Sequence, residues 1–181
     1  MELICKITDE DVGEVSVEMK NPETRKGARG IVVRADGKIA VFNKVNKNEC
    51  KLPGGGIEGD ELPEIAFKRE ALEETGCEVE IVKFLGTTEE HKSLNNFMQT
   101  SYVFVGKVIK DTGKLEVTEK EAEEGAALLW ATPEDALEMI KNSFDKLVAS
   151  RDESVYSTRF IIRRDTKILE KYISEIKDLE A

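Results

Sequence analysis

Residues Gly55 to Cys77 read GGIEGDELPEIAFKREALEETGC, and they form the most informative segment of the chain. It begins inside a glycine run that starts at Gly54, which favours a flexible loop over a strand or a helix. From about Leu62 to Thr75 the pattern is that of an amphipathic helix, and Gly76 is the residue type that commonly ends one. The sequence therefore predicts a glycine loop that leads directly into a helix.

One face of this predicted helix is a cluster of glutamates. At about 100° per residue, Glu70 and Glu74 project close together with Glu73 beside them, and Ile65 and Leu72 are predicted to pack on the opposite side. In a Glu-rich chain such a face is commonly just solvated, and like charges at these spacings cost about 0.2–0.5 kcal/mol per pair in an isolated helix. A divalent cation would offset the repulsion, because hard cations take oxygen ligands. The glycine loop at the helix entrance favours a bound phosphate, which makes a phosphate and metal site the preferred interpretation.

Nine positions of the stretch match the pattern Gly-x5-Glu-x7-Arg-Glu-U-x-Glu-Glu-x-Gly-U, where U is a bulky apolar residue. They are Gly55, Glu61, Arg69, Glu70, Ala71, Glu73, Glu74, Gly76 and Cys77. The pattern resembles the box of the Nudix hydrolases, with mild departures at the small Ala71 and the non-aliphatic Cys77. The resemblance covers roughly residues 28–142. It implies an α/β/α sandwich in which a mixed β-sheet lies between the box helix and the C-terminal helices.

The resemblance also implies a Mg²⁺ or Mn²⁺ site and a role for each box residue. The implied metal ligands are the Gly54 carbonyl, Glu70, Glu73, Glu74 and an additional glutamate outside the box, for which Glu124 is the best candidate and Glu121 and Glu123 are close rivals. Arg69 and Glu61 resemble the internal pair of the family, in which the arginine positions the carboxylates without contacting substrate.

The reaction implied by the resemblance is hydrolysis of a pyrophosphate bond, with a carboxylate as the general base. The sequence leaves Glu73, Glu74 and Glu124 open as that base. His91 is the only histidine and lies in the polar stretch 89–96, where an exposed loop residue or a substrate contact is favoured over catalysis.

Similar proteins carry sequence marks of their substrate class outside the box, and the absence of such marks here favours a nucleoside triphosphate, or an oxidised nucleotide such as 8-oxo-dGTP, as in the MutT-like branch. No proline lies between Pro63 and Pro133, which lowers the weight of the ADP-ribose class, and the marks of the NADH and coenzyme A classes are absent. Phe97, Gln99 and Tyr102 are the candidate substrate contacts. An ADP-sugar or another substrate class, and a catalytically silent binding or regulatory module, are the alternatives.

The rest of the chain predicts strands, turns and C-terminal helices. The predicted strands are 2–7, 12–17, 30–34, 38–42, 79–85, 97–108 and 126–131, with a loop at 20–26, a hairpin turn at Asp36-Gly37 and a polar connection at 89–96. Thr132 is predicted to cap a helix that has Pro133 at its first position. Beyond it, apolar residues recur at helical spacing through Ile176.

Composition bounds the class of protein. At 181 residues the expectation is one Nudix domain over 1–181, with N-terminal strands and a C-terminal helical extension. The net charge of −10 disfavours a nucleic-acid polymer as partner, and the basic residues Arg159, Arg163, Arg164, Lys167 and Lys171 are interpreted as a solvated or homodimer-facing surface.

No apolar run is long enough to cross a membrane, and the N-terminal sequence lacks the pattern of a secretion signal, so the expected location is the cytoplasm. Three unpaired cysteines are expected to be buried apolar residues.

Overall fold

The chain folds into a mixed β-sheet with helices on both faces. The computed structural model describes residues 2–150 and 154–180. The strands are β1 (Leu3–Ile7), β2 (Glu23–Val33), β3 (Ile39–Lys44), β4 (Glu49–Lys51), β5 (Gly54–Gly56), β6 (Cys77–Lys92), β7 (Phe97–Asp111) and β8 (Ala126–Ala131). The helices are α1 (Pro63–Thr75), α2 (Glu119–Glu123), α3 (Pro133–Ser143) and α4 (Val155–Glu180). In the described part of the chain, no helix has the length and apolar character needed to cross a membrane.

The strand order β1-β6-β7-β2-β3-β4 mixes parallel and antiparallel pairs, with β5 paired to β2 and β8 paired to β3. The β1–β6 and β2–β7 pairs are parallel, and the other pairs are antiparallel. Strands β2 and β3 share only the Val33–Ile39 pair, whereas β8 pairs with β3 along its whole length, Ile39–Lys44. The β2–β5 register places Gly54 opposite Arg29, so the glycine loop lies directly against the sheet.

The two faces of the sheet have separate hydrophobic cores. One core packs α1 against the sheet through Ala66, Phe67 and Ala71, and the other packs α3 and α4 through side chains such as Ile140 and Ile168. This confirms the predicted α/β/α sandwich. Alternation along each strand then decides which side chains face α1 and which face α4.

The predicted packing face of α1 was wrong. Ile65 is 52% exposed and Leu72 is only partly buried, whereas Ala66, Phe67 and Ala71 are fully buried. Phe67 stacks on Phe104 of the sheet with ring centroids 5.6 Å apart. The small alanines on either side of it let the helix approach closely, which rotates the larger Ile65 outward.

The prediction of a polar loop at 89–96 was also wrong, because β6 runs to Lys92 and only residues 93–96 turn. In the β6–β7 ladder Glu90 lies opposite Gln99 and Lys92 lies opposite Phe97. Glu90 and Lys92, which suggested a loop, are buried and pair with each other, and Glu90 also pairs with Arg164. His91 therefore lies within a strand, with Nε2 3.2 Å from Glu89 Oε2.

Three further predictions near the N-terminal half need correction. Residues 9–12 form a 3-10 helix that ends at Gly13 in the left-handed region (φ 84°), and no strand forms over 12–17. Strand β2 begins at Glu23, inside the predicted loop 20–26. Of the cysteines, only Cys77 is buried, while Cys5 and Cys50 are partly exposed, and all three thiols are free.

Candidate active site

The glycine loop and the carboxylate face of α1 are joined by direct contacts. The Gly54 N–H donates to Glu74 Oε2 over 2.8 Å. A Cβ added at Gly55 would collide with the Glu70 carboxylate, so a larger residue there would displace this carboxylate from the loop. The box therefore places two of the predicted metal ligands, Glu70 and Glu74, against the loop that contains another, Gly54.

Arg69 binds three of the box carboxylates at once. It is bidentate to Glu61, with Nε and Nη2 each 3.1 Å from a carboxylate oxygen, and Nη1 lies 2.9 Å from Glu70 and 3.2 Å from Glu73. Nη2 also donates to the Gly56 carbonyl over 2.9 Å. These bonds raise the pKa of Arg69, the Glu61 bond most of all. The geometry is that of a positioning residue, because the guanidinium fixes both the loop and the carboxylates.

Glu74 is paired with a lysine that the sequence argument had not considered. Lys51, at the end of β4, places Nζ 2.6 Å from Glu74 Oε1, and both side chains are at least nine-tenths buried. The same ammonium lies 5.0 Å from the centroid of the Phe42 ring. A protein cation therefore neutralises the carboxylate that the box predicts as a metal ligand.

The carboxyl groups of Glu70, Glu73 and Glu74 each have a raised pKa. Burial raises the pKa of each carboxyl, and Arg69 or Lys51 opposes that rise only in part. Incompletely compensated carboxylates with all-oxygen donors suit a hard cation such as Mg²⁺ or Mn²⁺. As they stand, no three acidic, histidine or cysteine side chains among the described residues converge closely enough to hold an ion. The oxygen atoms of Glu70, Glu73 and Glu74 are suitable ligands for such a metal ion. Arg69 and Lys51 now form ion pairs with these carboxylates.

Glu124 pairs with a lysine of β3 and not with the residues that engage the box carboxylates. Its carboxylate is 2.8 Å from Lys44 Nζ, and it lines a smaller cavity of about 220 Å³ with neighbours from the 46–47 and 149–150 segments. Lys44 lowers the pKa of this carboxyl against the opposing effect of burial, which is the largest single influence. Its rival Glu121 caps α2 by bonding Thr118, while Glu123 shares the smaller cavity.

A cavity of about 680 Å³ opens beside the glycine loop, on the face of the sheet that packs against α4. It is lined by Glu23, Arg25, Arg29, Lys51, Gly54, Gly55, Gly56, Lys92, Asn95, Phe97, Gln99, Lys120, Ser154, Ser157, Ile161 and Arg164. Phe97 and Gln99 were predicted substrate contacts and do line it. Tyr102 lies on the opposite face, packed with the α1-side core, so the structure does not bring it to this cavity.

The side of the cavity formed by α4 contains residues that sequence reasoning missed. Arg164 is 1% exposed, which contradicts its assignment to a solvated or dimer-facing surface. It bonds Glu90 over 2.7 Å and Asp165 over 2.8 Å. Asp165 in turn accepts the Leu52 N–H over 2.9 Å and so ties α4 to the start of the glycine loop. The sequence signal that could have found them is helical spacing, since Ile161 lies three residues before Arg164 and Ile168 four residues after it.

Comparison with known proteins identifies the family. The NUDIX domain family model matches residues 23–151, and the chain therefore belongs to this family, as its box predicted. A MutT-like protein of Streptomyces ambofaciens is 33% identical over 111 residues, covering 60% of this chain and 64% of that protein. An RNA pyrophosphohydrolase of Pseudomonas fluorescens strain SBW25 is 37% identical over 71 residues, covering 39% of this chain and 45% of that protein. These matches span less than two thirds of either relative.

A solved structure supports the fold. The NUDIX hydrolase from Nitrosomonas europaea aligns with a TM-score of 0.61 over 84% of this chain and 90% of its own, at 15% identity. At this identity the likeness concerns the arrangement of sheet and helices. It agrees with the sandwich described above.

Proposed function

We propose that the protein is a divalent-metal-dependent pyrophosphohydrolase that cuts a phosphoanhydride bond in a nucleoside triphosphate or an oxidised nucleotide. The observation that carries the proposal is the meeting of Glu70 and Glu74 with the glycine loop, beside a cavity of about 680 Å³. Membership of the NUDIX domain family adds support. The proposed setting is cytoplasmic, with a small phosphorylated substrate.

Each residue of the site has a proposed role. Glu70, Glu73, Glu74 and Gly54 would hold Mg²⁺ or Mn²⁺, with Glu124 as a further ligand. When bound, a divalent cation offsets the negative charge of the phosphates and makes water easier to deprotonate.

Arg69 keeps the box carboxylates in place through its five hydrogen bonds to Glu61, Glu70, Glu73 and Gly56. We propose Glu73 or Glu74 as the general base, because both lie on α1. Glu124 is a further candidate for this role, and Lys44 engages its carboxylate as Lys51 engages that of Glu74. Phe97 and Gln99 would contact the part of the substrate that lies in the cavity.

A second candidate is a catalytically silent binding module, and one observation favours it. The Lys51 ammonium lies 2.6 Å from Glu74, in the position of a competing cation. A module of this kind would bind phosphorylated ligands and release no product.

Product analysis of a substrate panel separates these proposals. The purified protein would be incubated in Mg²⁺ with nucleoside triphosphates, oxidised nucleotides, ADP-ribose, nucleotide sugars, dinucleoside polyphosphates and a 5′-triphosphorylated RNA. Attack inside the phosphate chain leaves a monophosphate and pyrophosphate, whereas a terminal phosphatase leaves a diphosphate. We expect monophosphate and pyrophosphate from triphosphates and poor turnover of ADP-ribose. A preference for ADP-sugars would contradict the substrate assignment, and binding without any product would support the silent module.

A further inference from the structure

Behind the large cavity lies a buried cluster of charges in which cations outnumber carboxylates. We call it the buried charge cluster. It consists of Arg29 on β2, Glu90 and Lys92 on β6, and Arg164 and Asp165 on α4. All five residues are less than a tenth exposed. With three cations and two carboxylates, the cluster is formally positive inside a chain whose net charge is −10.

Both carboxylates of the cluster are already engaged. Asp165 accepts the Arg164 Nε–H over 2.8 Å with one oxygen and the Leu52 N–H over 2.9 Å with the other. Glu90 Oε2 accepts bonds from Arg164 Nη1 over 2.7 Å and from Gln99 Nε2 over 3.2 Å. Its other oxygen lies 3.2 Å from Lys92 Nζ. The positive charge left over therefore belongs to Arg29.

Arg29 is 4% exposed and lines the cavity. Within residues 2–150 and 154–180, no carboxylate lies within ion-pair distance of it, and its Nε has no hydrogen-bond partner. Arg164 Nη2 likewise has no partner in this part of the chain. Burial, with the nearby charge of Arg164, lowers the pKa of Arg29 to about 10, which still leaves it charged at neutral pH. Asp165, Glu90 and Glu74 oppose this lowering without contacting the guanidinium. Arg29 is therefore buried with no anion bonded to it, which is costly, so the site favours an anion.

We propose that Arg29 and Arg164 form an anion subsite for a phosphate group of the substrate other than the pyrophosphate that is cut. Guanidinium groups suit this ligand because their planar N–H donors pair with phosphate oxygens. The proposal rests on the proposed function for the identity of the cavity as the substrate site. The substrate class is then a nucleotide with an additional phosphate ester, such as one on the ribose 3′ oxygen.

The composition of the cavity argues for this class over a substrate whose far end is an uncharged base. Base pockets are lined mainly by apolar and aromatic side chains with a few polar contacts. Among the described residues that line this cavity, Phe97 and Ile161 are the two large apolar ones. Charged and polar side chains form most of the remainder, including Arg25 and Arg29 of β2 and Arg164 of α4.

Binding of inorganic phosphate in chelator tests the subsite without requiring turnover. Removing divalent ions prevents the box carboxylates from recruiting phosphate through a metal, so the result is independent of the hydrolase proposal. The variant is Arg29→Met, which removes the charge while keeping a long apolar side chain and leaves the bonds of Arg164 intact. Lys107→Gln is the control, because Lys107 is exposed on β7 and does not line the cavity. Ionic strength is matched with sodium chloride in every sample.

We expect phosphate to raise the melting temperature of the wild type and of Lys107→Gln, with affinity about tenfold or more weaker in Arg29→Met, as for loss of a charge-assisted hydrogen bond. Without phosphate, Arg29→Met is expected to melt close to the wild-type temperature, because the buried cation that it removes has no carboxylate bonded to it. No phosphate-dependent stabilisation of the wild type, or equal affinity in Arg29→Met, would overturn the subsite.

A second arm distinguishes a phosphate of the substrate from free phosphate. The KM of a nucleoside triphosphate is compared with that of the same compound carrying a 3′-phosphate. We expect the added phosphate to lower KM about tenfold in the wild type and to have little effect in Arg29→Met. An equal KM for the two compounds in the wild type would overturn the assignment to a substrate phosphate.

Discussion

The carboxylate face of α1 and the buried charge cluster lie on opposite faces of the sheet and differ in how their residues come together. The first is contained in the continuous stretch 55–77, where helical periodicity alone brings the glutamates to one face. The second is gathered from β2, β6 and α4, and its Arg164–Glu90 bond joins residues 74 positions apart. Local regularity therefore places the first region, and only the tertiary fold places the second.

The two regions meet at residues 52–54, where the glycine loop begins. The Leu52 N–H donates to Asp165 of α4 over 2.9 Å, and the Gly54 N–H donates to Glu74 of α1 over 2.8 Å. The loop is thus fixed from both faces of the sheet. Variants in each region test whether one supplies the chemistry and the other the binding and stability.

The largest effect is expected at Glu74, on the carboxylate face. Glu74→Gln should lower kcat about 10²- to 10⁴-fold, because it removes a charged oxygen donor and a candidate base while keeping the shape of the side chain. Circular dichroism should show an unchanged fold. Glu64→Gln is the matched control, since Glu64 is an exposed glutamate in the first turn of the same helix. A near-normal rate in folded Glu74→Gln would contradict the role of Glu74 as a metal ligand or general base.

In the buried charge cluster, Glu90 is expected to affect stability in a pH-dependent way. Burial alone would raise the pKa of its carboxyl, but Arg164, Lys92 and Arg29 together lower it from 4.5 to about 2. A lowered carboxyl pKa contributes stability above the unfolded-state pKa of 4.5, and this contribution is lost as the pH falls toward 2. Glu90→Gln should therefore cost roughly 3 kcal/mol of unfolding free energy near pH 7.

The measurement for Glu90 is urea unfolding of both proteins between pH 7 and pH 2. The wild type should lose its advantage over Glu90→Gln as the pH falls below 4.5. Glu80→Gln, an exposed substitution on the same strand, should show little difference at any pH. A gap between wild type and Glu90→Gln that stays constant with pH would show that packing, and not charge, explains the role of Glu90.

Substitution of Arg69 tests whether this arginine positions the box carboxylates or binds substrate. Arg69→Ala should lower kcat about 10- to 100-fold, because Glu61, Glu70 and Glu73 lose the guanidinium that orients them. Substrate affinity should change less than kcat, since the arginine is bonded to protein groups. Lys68→Ala, one residue away and exposed, serves as the control. An effect confined to KM would mean that Arg69 contacts substrate.

The smallest effect is expected at Lys51, which lines the cavity and also pairs with Glu74. Lys51→Met should tighten Mn²⁺ binding by about threefold to tenfold in the absence of substrate, because it removes a cation that competes for the carboxylate. Isothermal titration calorimetry measures this directly. Weaker Mn²⁺ binding in Lys51→Met would indicate that the lysine helps to organise the ligands.

Prediction from sequence succeeded where a rule of local spacing applied. The box gave the family and the loop followed by α1, and Thr132 does accept the Asp135 N–H as a helix cap. It failed where burial depends on distant partners. Glu90 and Lys92 read as loop residues because their counter-charges, Arg164 above all, are far away in the chain. The assignment of one domain over 1–181 and the roles of the site residues stay predictions.

The dependence of turnover on divalent metal tests the central proposal most directly. Release of pyrophosphate from a nucleoside triphosphate would be followed in chelator, and then after addition of Mg²⁺ or Mn²⁺ in excess over the chelator. Carboxylate ligands predict that activity disappears in chelator and returns with either ion, because both prefer oxygen donors. Equal rates of pyrophosphate release with and without divalent ions would contradict the proposed metal site.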